Sequence, residues 1–241
     1  MNMTSNRLLL CGLIALAFGW NASAETIMIG GQRVENAEFV SLVPEGLLYL
    51  VNEERTILPW EELTEFQRTN VSTKMADDLY NVKTRAIYIE GEVYQRRVDG
   101  LVIRIRSTGD SDESTVDYKE GAKMAKNIVF LTGHPRQTDF EDDEPIKVVA
   151  YETGEEYEFD MGIAKKMVMS CSYDPPAWAA ERDWTNAEGR KMNALLIGVK
   201  DGKGLFRVSG NDVVVHLDTL SDEDQAIAAQ FVKNSLNIPV Y

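Results

Sequence analysis

Residues Arg182 to Phe231 read RDWTNAEGRKMNALLIGVKDGKGLFRVSGNDVVVHLDTLSDEDQAIAAQF. Short apolar runs, Gly204-Leu205-Phe206-Arg207-Val208 and Val214-Val215-His216-Leu217, stand between polar turns. That is the pattern of short strands joined by tight connections. The run then changes period. Ser221 is an N-cap residue, and Asp224 stands at the third helical position, where an acid favours the positive helix start and can mimic a capping box. Ile227, Ala228 and Phe231 give the helix one apolar face. The stretch from Leu220 to Phe231 is expected to cap one end of a small barrel.

A fainter copy of this stretch lies near the N-terminus. Asn36-Ala37-Glu38-Phe39 aligns with Asn193-Ala194-Leu195-Leu196, and Gly46-Leu47-Leu48-Tyr49-Leu50 with Gly204-Leu205-Phe206-Arg207-Val208. Ile57-Leu58-Pro59-Trp60 aligns with Val214-Val215-His216-Leu217, and Leu63-Thr64-Glu65 with Leu220-Ser221-Asp222. The offset is 157 or 158 throughout, with one single-residue shift. A shared order of turn, strand, polar turn, strand and Leu-Ser/Thr-acid points to an internal duplication.

The fold expected is mainly β: three small SH3-like or OB-like barrel modules with short helices. The first spans residues 25–82. Its strands pass through Ile27-Met28-Ile29, Ala37 to Leu42, Leu47 to Val51 and Thr56-Ile57-Leu58, and Pro59 places the last at an edge. Leu63, Phe66, Val71, Met75 and Leu79 then read as one amphipathic helix. The second module spans residues 83–174. Five strands, within 86–94, 101–105, 128–131, 146–151 and 166–171, fit a small closed barrel. Ser107 to Lys126 reads as a polar loop or a short helix. Pro175-Pro176 opens a linker over residues 175–181, and the third module covers 182–241.

The chain has 241 residues, 44% of them hydrophobic, and a net charge of −14. With no cluster of Lys and Arg, such acidity argues against nucleic acid and against anionic membranes. Residues 1–24 read as a signal peptide: Arg7, an apolar run from Leu8 to Trp20, then Ala22-Ser23-Ala24. Cleavage near Ala24 makes the mature protein periplasmic or secreted, with no membrane span. Cys11 leaves with the signal, so Cys171 is alone and reads as a small buried hydrophobe.

The third module resembles the Sla homology domain 1 family of SH3-like modules. The resemblance rests on Arg182-Asp183-Trp184-Thr185, Gly189-Arg190, Ala194, Asp201-Gly202-Lys203 and Leu217-Asp218-Thr219-Leu220-Ser221-Asp222-Glu223-Asp224-Gln225. His216 replaces the family's usual proline, which the first copy keeps as Pro59, and Gly204 reads as an added hairpin residue. In eukaryotic endocytic adaptors the family binds short peptides containing Asn-Pro-Phe. The resemblance therefore implies a protein or peptide partner rather than catalysis.

Groups for chemistry are sparse. His134, in the turn Thr132-Gly133-His134-Pro135, has Asp139 as a candidate orienting carboxylate, and His216 reads as solvent-facing. No Gly-x-Ser-x-Gly elbow, zinc spacing or Gly-rich phosphate loop occurs. The acidic loops Asp110-Ser111-Asp112-Glu113 and Glu141-Asp142-Asp143-Glu144 read as solvated charge. The expectation is a non-enzymatic protein without cofactor or metal, an exported protein- or peptide-binding adaptor. The alternative is a structural cell-envelope or polysaccharide-binding protein. Trp184, Trp178 and Trp60 are the candidate ligand-binding residues.

Overall fold

The structure is a computed structural model that describes residues 25–105, 116–160, 162 and 165–238. The signal segment and the loop Asp110–Glu113 lie outside the described residues.

The first sheet is an antiparallel meander of β1 (Glu25–Ile29), β2 (Gln32–Val43), β3 (Gly46–Val51) and β4 (Glu54–Pro59). Its inward residues include Ile27, Ala37, Leu42, Leu47, Tyr49 and Leu58, all buried, as half-buried strands require. After a 3-10 turn at Trp60–Glu62 come α1 (Glu65–Lys74) and α2 (Ala76–Thr84). Thr64 and Gln67 form a capping box at the start of α1. The single helix expected here is two. Met75, at φ −123°, leaves helical geometry and turns the chain. Val71 and Leu79 stay in the core, whereas Phe66 is 62% exposed.

The middle unit contains β5 (Ile87–Arg96), β6 (Leu101–Ile105), β7 (Tyr118–Lys119), β8 (Ala122–Met124), β9 (Ile128–Thr132), β10 (Pro145–Asp160) and β11 (Lys165–Ser172). Pairing runs β5–β6–β9–β11–β10 and returns to β5, so five strands close a ring. The β9–β11 pair is parallel. Closure depends on the length of β10: Pro145–Ala150 pair with β5, and the part from Tyr151 onward pairs with β11. Ile89, Val93, Leu101, Ile103, Val129, Leu131 and Cys171 fill the interior. Part of the stretch expected as a loop or short helix is instead the β7–β8 hairpin, which extends the sheet beside β5. Its turn brings Gly121 against α2, where a Cβ would lie 1.9 Å from the carbonyl oxygen of Asp78. Only glycine permits that approach.

The far end of the β10–β11 hairpin folds over the outside of β6 and β9. Phe159 and Val168 cover Val102 and Phe130, and the Tyr157 ring stacks on Phe130 at 3.6 Å. This barrel face is therefore a second small core.

The third sheet is β12 (Arg182–Thr185), β13 (Lys191–Lys200), β14 (Lys203–Val208) and β15 (Asn211–His216), followed by α3 (Asp222–Asn234). It repeats the first sheet at a shift of 157 residues over its last two strands, while the first hairpin differs in its turn, residues 30–31 against 186–190. Phe39 pairs with Tyr49 and Ser41 with Leu48 across a bulge; Leu196 pairs with Phe206 and Gly198 with Leu205 across the same bulge. Gly46 pairs with Pro59, and Lys203 with His216. Both outer hairpins turn on two residues of positive φ, Asn52-Glu53 and Ser209-Gly210. The alignment of Gly46 with Gly204 is corrected accordingly: Gly46 corresponds to Lys203, and Gly204 adds no residue to the hairpin.

The units touch through specific bonds. Lys83 Nζ donates to the Ile197 carbonyl at 2.9 Å, and Tyr80 Oη to that of Ala179 at 2.8 Å. The Leu236 amide donates to the Lys83 carbonyl at 2.8 Å. Arg55 pairs with Asp117 and donates to the Val116 carbonyl at 3.0 Å. No helix among the described residues is long and apolar enough to cross a membrane.

Candidate functional site

Trp184 is 1% exposed. Its ring lies edge-on to Phe206 at 5.0 Å, and its Nε1 donates to the Ala194 carbonyl at 2.9 Å. Trp60 is likewise buried and donates to the Pro44 carbonyl at 2.8 Å. Both indoles spend their polar atom and their faces on the protein interior, so neither forms an aromatic shelf. Trp178 is half-buried, edge-on to Phe231 at 6.1 Å. It alone of the three keeps partial access to solvent.

The opening and closing segments of the third unit meet at Asp224. This carboxylate accepts from the Thr185 amide at 2.6 Å and lies 3.2 Å from Ser221 Oγ. Its other oxygen is 3.0 Å from Arg182 Nη2, an ion-pair contact without hydrogen-bond alignment. The Arg182 guanidinium in turn stands over the Trp184 ring at 5.3 Å. Ser221 caps α3 by accepting from the Asp224 amide at 3.3 Å. The reciprocal half of the expected capping box is replaced: the Ser221 amide donates to the Thr185 carbonyl, and the Asp224 side chain serves β12 instead. These contacts account for Arg182, Trp184, Thr185, Ser221 and Asp224 as one structural clasp.

His134 lies in the turn after β9, edge-on to Phe140 at 5.2 Å and to Tyr173 at 5.0 Å. Its Nδ1 accepts from the Arg136 amide at 3.2 Å, which leaves Nε2 to carry the proton of the neutral ring. Burial, and then the Arg136 charge, hold its pKa below the usual histidine value. Asp139 pairs with Arg136 at 3.2 Å. The expected orienting carboxylate is thus committed to an arginine, and no acid–base pair forms here.

Beside this turn two shallow clefts adjoin, of 480 and 560 Å³. One wall is the β5–β6 turn, Arg96, Arg97 and Val98; the other is the segment Gln137 to Asp142. The walls are tied together. Gln137 Nε2 donates to the carbonyls of Arg97 and Val98, each at 3.1 Å, and Arg96 Nη1 to that of Thr138 at 2.6 Å. At the tip, the Val98 side chain is fully exposed at 102%. Arg97, the residue before it, has its Nε buried without a hydrogen-bond partner among the described residues. Sequence reasoning missed this cleft. The bonds that build it cross about forty residues, and no local pattern announces them.

Elsewhere, Cys171 is a buried free thiol whose pKa is pushed up to about 12 by burial and then by Glu152. The acidic loop Glu141–Glu144 is a turn closed on itself, with the Glu141 amide donating to Glu144 Oε2 at 3.1 Å. Among the described residues no group of three or more His, Cys, Asp or Glu is placed to hold a metal ion. His216 is exposed on β15. Comparison with family models, with curated proteins and with solved structures finds no significant match to this chain.

Proposed function

We propose that this chain is an exported, non-enzymatic adaptor that binds an extended protein or peptide segment, the barrel presenting the cleft and the two flanking sheet units acting as a duplicated frame. The third unit is read as Sla homology domain 1-like, on the residues that build the Arg182–Asp224 clasp. One observation carries the binding site: Arg97, which lines an open cleft together with the exposed Val98, keeps a buried Nε without an acceptor among the described residues. A buried donor left unpaired is costly. A carbonyl or carboxylate of a bound chain would satisfy it once the Arg97 side chain turns Nε toward the cleft, while Val98 covers an apolar side chain of the same segment. Shallow, open geometry suits an extended segment better than an enclosed small molecule.

The test is capture from envelope extract by the wild-type chain, by Arg97→Ala and by Val98→Asp. Recovery of a protein partner by the wild type, and its loss by both variants, supports the reading. Recovery of glycan without protein sinks it and favours the polysaccharide-binding alternative. Equal recovery of a partner by all three moves the site elsewhere.

A further inference from the structure

The two matched sheets end in edge strands that differ in one respect. In each hairpin a two-residue turn makes the flanking residues a hydrogen-bonded pair, Val51 with Glu54 and Val208 with Asn211. Alternation along the strand then turns the backbone groups of Arg55, Ile57 and Pro59 outward on β4, and those of Asp212, Val214 and His216 outward on β15. On β4 the edge lacks one donor, because Pro59 has no N–H to offer, and the Arg55 side chain reaches from it to Asp117 and the Val116 carbonyl. On β15 the proline's place is taken by His216, which restores the donor. Among the described residues no strand pairs on that side. The outward carbonyl of His216 also accepts from Thr219 Oγ1 at 2.7 Å, with a lone pair to spare.

The strand is also complementary to itself. We propose that β15 is a self-association edge, pairing antiparallel with β15 of a second copy about a two-fold axis at Val214. In this register Val214 meets Val214, Asp212 meets His216, and Val213 meets Val215. The outward backbone groups all find partners. On the outer face, Leu205 lies across from Val214, Arg207 from Asp212 and Lys203 from His216. Joining two sheets gives a central row Leu205–Val214–Val214–Leu205, apolar throughout. The rows on either side run Lys203–His216–Asp212–Arg207, each placing one carboxylate among basic neighbours. Val214 is 61% exposed and Val213 39% exposed in the single chain. Pairing covers both, one on each face of the strand. The inference is independent of partner binding at the barrel cleft.

Four variants of the full chain test it, with mass followed by sedimentation from micromolar to millimolar concentration. The wild type is expected to pass from monomer to dimer. Val214→Lys sets two ammonium groups opposite one another and is expected to weaken the dimer by at least about tenfold. His216→Pro removes the donor that Pro59 lacks on β4 and is expected to do the same. Unchanged circular dichroism and melting separate lost pairing from lost folding. In the third variant, Val214→Cys, the two sulfurs sit on a hydrogen-bonded pair with Cα atoms about 5.5 Å apart, within disulfide reach. It is expected to cross-link under mild oxidation. Asn211→Cys, at the far end of the strand, is not. A monomer at every concentration overturns the proposal, as does equal cross-linking of the two cysteine variants. Binding of a foreign strand at β15 without self-association also overturns it.

Discussion

Lys83, in the last turn of α2, donates from Nζ to the carbonyl of Ile197, 2.9 Å away and 114 residues further along the chain. The lysine is buried, and its own carbonyl accepts from Leu236. One residue therefore fastens the helix of the first unit, the sheet of the third and the segment after α3. Burial lowers its pKa to about 8. The unfolded chain then binds more protons than the folded one between about pH 8 and the ordinary lysine value, so stability rises with pH across that window. Below pH 8 the penalty is complete, on the order of 3 kcal/mol. Tyr118 and Tyr151, whose pKa values burial raises, act in the opposite sense at higher pH. The difference between wild type and Lys83→Met isolates the lysine. Urea unfolding at a series of pH values should show that difference growing in favour of the wild type from about pH 8 upward. A constant difference would show that Lys83 keeps its charge on folding without penalty.

Asp224, buried beside the exposed Asp222 and Glu223 in the first turn of α3, should matter to stability. Asp224→Ala leaves the Thr185 amide without its acceptor and the Arg182 guanidinium without its counter-charge, and removes the support of β12. The expected loss is about 3 kcal/mol, the range for breaking a buried charged pair. Denaturant unfolding measures it; a loss below about 0.5 kcal/mol would reduce the clasp to a surface contact.

Trp184→Ala is expected to be a folding variant rather than a binding variant. It empties the centre of the third core and strands the Ala194 carbonyl, at a cost of about 3–5 kcal/mol. Fluorescence-monitored unfolding and partner capture on one preparation distinguish the two effects. A variant of normal stability that no longer binds would return Trp184 to the ligand site.

Cys171 should resist thiol reagents in the native protein. With its pKa at about 12 and no solvent access, the thiolate is scarce and sheltered. Labelling by a maleimide should begin only with denaturation. Prompt labelling of folded protein would mean that the barrel opens at β11.

Glu90 lies 2.8 Å from Lys119 and 2.7 Å from Lys147, linking β7 and β10 to β5. Its hydrogen bonds to Lys119 and then Lys147 hold the carboxyl at about 2. A depressed carboxylate contributes stability that is present above its unfolded value and lost as pH falls through about 2. Solvent screens the cluster, so Glu90→Gln should cost only about 1 kcal/mol at neutral pH. Its effect should vanish at the acid end of a pH series; a persistent difference there would assign the loss to packing instead of charge.

Much of the mainly β architecture was legible locally. Alternating runs such as Leu47 to Val51 specify strand faces, because side chains in a strand alternate with period two. The repeat was legible for the same reason, although its one-residue error at Gly204 arose from matching glycines where pairing register decides. The split of one expected helix at Met75 was not legible, since the apolar spacing continues through the break. Nor was the β7–β8 hairpin, whose two short strands exist because Gly121 can approach α2 and β5 is there to pair with.

By itself the sequence determined where strands and caps form, because propensity, turn chemistry and alternation act over a few residues. Only the tertiary structure decided what those elements are for. It buried Trp184 and Trp60, diverted Asp224 from its own helix to β12 and gave Asp139 to Arg136 instead of His134. It also assembled the Arg97–Gln137 cleft and tied the Arg55 side chain of β4 to Asp117. Each of these outcomes depends on which polar group finds a partner, and the partners come from segments far apart along the chain.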